Sequence, residues 1–226
     1  MKLLALDTAT EACSAALYID GEIRQQFQMA PREHTQLILM QAQALLDEAG
    51  LSINQLDALA FGRGPGSFTG VRIAASVIQG MAFGADLPVL PVSTLASMAQ
   101  LMLEQHAVTH VISAIDARMG GIYTAGYISD GTLMRLRGIE VLCAPQEIDL
   151  PGYLGWIGAG TGWLGHGDQL KQRLGDRVTR IYPDVWPQAA TIARLAVDDF
   201  VNGRAVSAEQ AQPVYLRDDV AKKSSK

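Results

Sequence analysis

Gly62-Arg63-Gly64-Pro65-Gly66-Ser67-Phe68-Thr69-Gly70-Val71-Arg72 is entered by an apolar run, Leu59-Ala60-Phe61, and left by a long apolar segment, Ile73 to Phe83. That order reads as strand, glycine loop, helix. Gly64, Gly66 and Gly70, set around Pro65, supply backbone conformations that other residues resist. Ser67 or Thr69 is placed to cap the helix. A helix N-terminus opened by glycines is a ready anion site. Yet no Lys-Ser or Lys-Thr pair follows the last glycine, so this is not a P-loop. The spacing does not match the dinucleotide fingerprint either. The stretch therefore reads as a structural turn that sets the start of a helix, with Phe68 expected to matter for packing more than Ser67 for chemistry.

Working outward, the chain opens with three strands in meander order: Leu3 to Thr8, Cys13 to Ile19, and Glu22 to Met29, the last two joined by the hairpin signal Asp20-Gly21. A helix follows from about His34 to Ala49, stopped by Gly50. A strand, Leu56 to Phe61, feeds the glycine loop. The second helix runs from about Thr69 to Phe83 with Gly84 as its stop, then a short strand, Pro88 to Val92, and a third helix capped by Ser93 or Thr94. After His106 the order begins again. Val111 to Asp116, Gly121 to Ile128 and Thr132 to Leu142 form a second meander. Pro145 to Leu150 is a poor helix, Tyr153 to Ile157 a strand, and Gly158-Ala159-Gly160-Thr161-Gly162 opens a helix to about Leu174. Val178 to Tyr182 and Gln188 to Asn202 close the pattern. Val206 to Lys226 is irregular, and its Lys-Lys-Ser-Ser-Lys end reads as disordered. The expected division is 1–105 and 106–226, with a hinge near Gln105 to Thr109.

A net charge of −5 and the lack of a basic stripe make the chain a poor binder of a phosphate backbone by itself. Cys13 and Cys143, the two cysteines, lie far apart and read as buried free thiols. No leader or membrane span is visible, so a cytoplasmic location is expected.

Two βββαβαβα halves resemble the actin-like ATPase superfamily, an α/β fold of two lobes with the second here reduced. Leu6-Asp7-Thr8-Ala9-Thr10, the string from Gly64 to Arg72, Asp116-Ala117-Arg118 and Pro213-Val214-Tyr215-Leu216-Arg217 together resemble the TsaB (YeaZ) family. That resemblance implies a role in making threonylcarbamoyl-adenosine on tRNA. It implies a non-catalytic subunit that pairs with the catalytic paralogue TsaD, is joined by the ATPase TsaE, and shares a pathway with the synthase TsaC. It further implies tRNA contact only through the complex, no cofactor in the isolated chain, and nucleotide at the joint surface of the complex. A homodimer when alone is expected because apolar helices left bare by an absent partner seek a substitute.

The catalytic paralogue holds its metal with a His-x-x-x-His pair, where this chain has Thr94 and Met98. Neither replaces an imidazole. The four histidines, His34, His106, His110 and His166, are scattered and read as surface residues. Asp7 and Asp116 each end a first strand and read as turn-capping carboxylates, with Asp116 and Arg118 expected to form a local ion pair. The second glycine run reads as a relic of a nucleotide loop, with Trp163 filling the space. Ser67 lacks a nucleophile elbow. The enzyme alternatives are a glycopeptidase-like protease, with the missing histidine pair against it, or an actin-like ATPase, with the lack of a complete phosphate loop against it.

The first two helices carry more apolar surface than one sheet can cover. Val71, Ala74, Ala75, Ile78 and Ala82 suit the sheet, leaving Arg72, Ser76, Gln79 and Phe83 outward. With Leu37, Met40 and Ala44 of the first helix, these are the expected partner face. By the resemblance, two helices from each protein would form a four-helix interface.

Overall fold

The computed structural model describes residues 1–149, 152 and 154–217. Tyr153, Leu150 and the Lys-Lys-Ser-Ser-Lys end, named in the sequence reading, lie outside the described residues. The strands are β1 (Lys2–Asp7), β2 (Ala12–Ile19), β3 (Glu22–Met29), β4 (Ala58–Gly62), β5 (Val89–Val92), β6 (His110–Asp116), β7 (Ile122–Ser129), β8 (Met134–Cys143), β9 (Trp156–Ala159) and β10 (Val178–Tyr182). The helices are α1 (His34–Ala49), α2 (Phe68–Ala85), α3 (Thr94–His106), α4 (Thr161–Leu174) and α5 (Ala189–Val201).

The strands form two five-stranded sheets of matching order, β3-β2-β1-β4-β5 and β8-β7-β6-β9-β10. In each, a three-strand antiparallel meander continues into two parallel strands. This repeated mixed sheet is the actin-like fold. The second lobe is reduced: between β8 and β9, in the position of α1, the described residues hold a single 3-10 turn, Pro145–Glu147, and no α-helix.

Both faces of the first sheet are covered, which is why its central strands are apolar without interruption. On β1, Leu4 and Leu6 face the core shared with α1 and α2, and Leu3 and Ala5 face α5. This is the two-residue period of a strand. In the second sheet, Val111 of β6 packs with Leu95, Met98 and Met102 of α3. Ile112 and Ala114 pack with Trp163, Leu170 and Leu174 of α4.

The last helix of each half thus covers the other half's sheet. A boundary at residue 105 separates the strands but not the cores. An apolar stripe shows that a helix must be covered, not by which sheet.

Several element ends differ from the sequence reading by a few residues, and two of them involve glycines. The ninth strand is Trp156–Ala159, shifted into the glycine run, because Ile157–Ala159 pair in parallel with Val111–Ser113. Gly84 does not stop α2. The helix runs through it to Ala85, and Asp86 in the left-handed conformation closes it.

Candidate functional site

The glycine loop is seated on the turn after β1. Ser67 N–H donates to the Ala9 carbonyl at 2.7 Å. The Thr8 hydroxyl donates to the Gly70 carbonyl at 2.6 Å and accepts from Ala74 N–H at 3.1 Å. A Cβ on Gly66 would stand 2.3 Å from the Ala9 carbonyl oxygen, and one on Gly70 would stand 2.0 Å from that of Thr8. Gly64 has φ +98° and precedes Pro65 through a cis peptide bond. The space that glycine opens is filled here by the protein's own backbone, and Ser67 caps α2 by accepting from Gly70 N–H at 3.4 Å. Thr8, which ties strand to helix, was not singled out from sequence. Its only signal is a threonine directly after the strand-end aspartate.

Phe68 packs on surface side chains and not in the core. It is 54% exposed and lies against the Arg72 guanidinium, 3.3 Å from the ring centre, and against Tyr215 at 6.1 Å.

The second glycine run follows the same logic. A Cβ on Gly158 would stand 2.5 Å from the Trp163 indole, and on Gly160 2.0 Å from the Met98 methyl. Trp163 is buried and donates to the Ile112 carbonyl at 3.1 Å.

The two strand-end aspartates differ. Asp7 is fully buried, its Oδ1 accepting from Ala9 N–H at 3.1 Å and its Oδ2 without a hydrogen-bond partner. A Cβ on Gly62 would overlap that oxygen. Burial pushes the Asp7 carboxyl from 3.8 up to about 7, opposed by the Ala9 hydrogen bond. Burial, with Asp7 nearby, also pushes the Cys13 thiol up to about 12, which keeps it an inert thiol. Cys143, expected buried, is half-buried. Asp116 faces the cleft. It accepts from Arg118 N–H at 2.8 Å, pairs with the same guanidinium at 3.3 Å, and stands 3.7 Å from His166 Nε2.

A cleft of about 1020 Å³ lies between the lobes, with Ser67, Thr69, Asp116, Arg118 and Thr161 on its walls. His34 and His166 correct the surface reading of the histidines. His34 is buried with Nε2 3.2 Å from the Ala12 carbonyl oxygen, and His166 is half-buried at a kink in α4. His106 stacks on Tyr182. His110 sits edge-on to Trp156. Thr94 and Met98 are fully buried in α3, and among the described residues no three His, Cys, Asp or Glu side chains converge.

The outer face of α1 and α2 is different in kind. Val71, Ala74, Ala75, Ile78 and Ala82 are all buried against the sheet. Ser76 is exposed, Arg72 and Gln79 are half-buried, and Phe83 is 76% exposed. On α1, Met40 is 67% exposed, and Leu37 and Ala44 are half-buried. Between the helices runs a groove of about 340 Å³ with Ile73, Val77 and Ser76 in its walls.

A family model described as TsaD, tRNA N6-adenosine threonylcarbamoyltransferase, matches residues 27–155. The tRNA threonylcarbamoyladenosine biosynthesis protein TsaB of Escherichia coli K12 is 43% identical over 227 positions, covering 98% of this chain and 96% of that protein. The chain belongs to the TsaB family. Its Haemophilus influenzae relative, also TsaB, is 40% identical and covers 97% of this chain and 95% of its own length. The solved structure of YeaZ from Pseudomonas aeruginosa superposes with a TM-score of 0.90 at 44% identity, over 95% of this chain and 99% of that one. In this TsaB-family chain the span matched by the TsaD model contains the glycine loop, α1, α2 and α3. Thr94 and Met98 lie inside it. No helix among the described residues is long and apolar enough to cross a membrane.

Proposed function

We propose that the chain serves tRNA threonylcarbamoyladenosine biosynthesis as a non-catalytic subunit that docks the catalytic paralogue TsaD through the α1–α2 face. The observation that carries this reading is the bare apolar surface on that face: Met40 and Phe83 are 67% and 76% exposed, above the half-buried Leu37, Ile73 and Val77. Ser76, Gly80 and Gly84 lie outward on α2 and let another helix approach closely. Such a face is unusual for a chain that works alone.

The buried chemistry agrees. Thr94 and Met98 pack in a core, and the glycine runs close on protein atoms instead of opening to a ligand. On this reading metal and substrate belong to TsaD, and TsaC supplies the activated threonylcarbamoyl group. TsaE joins the assembled pair, with nucleotide at the joint surface, and tRNA is met only through the complex, in the cytoplasm. Without TsaD the same face pairs two copies of the chain about a two-fold axis. Reconstituting tRNA modification from TsaC, TsaD and TsaE with and without this chain tests the reading. Modification is expected only when the chain is present, and equal modification without it would defeat the proposal.

A further inference from the structure

Pro213 to Arg217 runs across the mouth of the inter-lobe cleft. Its root belongs to the first lobe. Val206 pairs with Val89 of β5, and Ala211 is buried in the core beneath α1 and α2. Val214 N–H then donates to the Arg63 carbonyl at 2.8 Å. Tyr215 lies on Phe68, with the Arg72 guanidinium 4.9 Å from its ring centre. At Arg217 the segment crosses to the second lobe. The guanidinium donates to the carbonyls of Ala117 and Arg118 at 3.0 and 3.4 Å, and to Met119 Sδ at 3.1 Å.

What Arg217 grips is a costly piece of backbone. Arg118, Met119 and Gly120 are consecutive left-handed residues, with φ of 62°, 54° and 78°. Non-glycine residues resist that conformation. The turn holds itself by Ala117 N–H to the Gly121 carbonyl and Gly121 N–H to that of Arg118. One terminal nitrogen, Nη2, serves both carbonyls while Nη1 reaches the Met119 sulfur, so the planar fork spans backbone and thioether at once in a way a lysine does not. Arg118, on the same turn, reaches back across the mouth to Glu11 of the first lobe at 3.2 Å.

We propose that Pro213–Arg217 is an inter-lobe latch, with Arg217 as its hook, that holds the cleft at one width. The chain crosses between the two sheets' cores twice, from β5 into α3 and from β10 into α5, and lobes joined by two such crossings hinge about them unless the open side is tied. The latch is that tie. It departs from the first lobe's core and ends on the second lobe's turn, so the cleft cannot widen without releasing Arg217.

The test compares the full chain with Arg217→Ala and Arg217→Lys. Amide exchange followed by NMR reads the turn directly. In Arg217→Ala the amides of Ala117 and Gly121 are expected to exchange at least about fivefold faster. The Val214 amide, rooted in the first lobe, should change far less, and Arg217→Lys should fall between the two. Spin labels at the exposed Glu48 and Lys171, in a Cys143→Ser background, read the distance between lobes. One narrow distance is expected for the parent and a broadened distribution for Arg217→Ala. A distribution unchanged by Arg217→Ala overturns the latch, even if the turn amides exchange faster, because Arg217 would then order only its turn. A parent distribution that is already broad overturns it as well.

Discussion

Arg63 of the glycine loop and Glu140 of β8 meet at 2.8 Å across the two lobes, with the carboxylate side chain only 8% exposed. Glu140 also accepts from Tyr127 O–H at 2.9 Å, and Tyr127 O–H stands 3.3 Å from the Ser93 hydroxyl. Burial, followed by the charge on Glu140, holds the Tyr127 phenol well above its usual range, so it stays a donor. A buried pair of this kind is costly to break from one side, since the remaining charge loses its partner. Arg63→Ala is expected to lower stability by about 3 kcal/mol, and Arg63→Met combined with Glu140→Leu by less. Denaturant melts of the single and double variants check this. Additive losses would show that the two residues do not act as a pair.

The glycine loop makes opposite demands on neighbouring positions. Gly70→Ala would drive a methyl into the Thr8 carbonyl, at 2.0 Å, so a poorly folded protein is expected. Ser67→Ala removes one long cap bond and should cost about 1 kcal/mol or less, with tRNA modification by the reconstituted system kept. Thermal melts and the modification assay separate the two. Loss of modification in a folded Ser67→Ala protein that still binds TsaD would give the hydroxyl a chemical role.

Asp7 makes stability depend on pH in a direction that can be worked out. The folded protein holds this proton up to about pH 7, whereas the unfolded chain releases it near 3.8. Between those values the folded state binds more protons, so stability falls as pH rises through the window. Asp7→Asn removes the effect. Its advantage over the parent is expected to grow by roughly 2–3 kcal/mol between pH 5 and pH 8. Melting curves at both pH values measure it, and a constant difference would mean that Asp7 is ionised in the folded state throughout.

Much of this fold is legible in the sequence because its signals are local. The three- and four-residue steps of α2 separate Val71, Ala74, Ala75, Ile78 and Ala82 from Ser76 and Phe83, and all five of the first set are buried. The hairpin at Asp20-Gly21 and the cap at Ser93 are likewise set by adjacent residues. Pairings distant in sequence were not legible. Gly158 reads as loop but lies in a strand, because the glycine makes room for a tryptophan five residues on. Asp7 reads as a turn cap, and is one, but its burial depends on Gly62 and Ile192, brought close only by the fold. Pro213 to Arg217 shows no periodicity, so nothing in its pattern tells that it would span the cleft mouth.

The central claim is that the α1–α2 face is where this chain meets TsaD, and the exposed Ser76, midway along α2, tests it most directly. Ser76→Glu places a charge there without touching the stripe that packs on the sheet. In solvent the change should cost at most about 0.5 kcal/mol of stability. Inside a packed helix interface the charge loses water without gaining a counter-ion, at a cost of roughly 2–5 kcal/mol of binding. The measurement is a calorimetric titration of TsaD with the parent and with Ser76→Glu, alongside their melting temperatures. The expected result is a near-normal melting temperature and affinity weakened at least about thirtyfold. Unchanged affinity would contradict the account and put the interface elsewhere on the molecule.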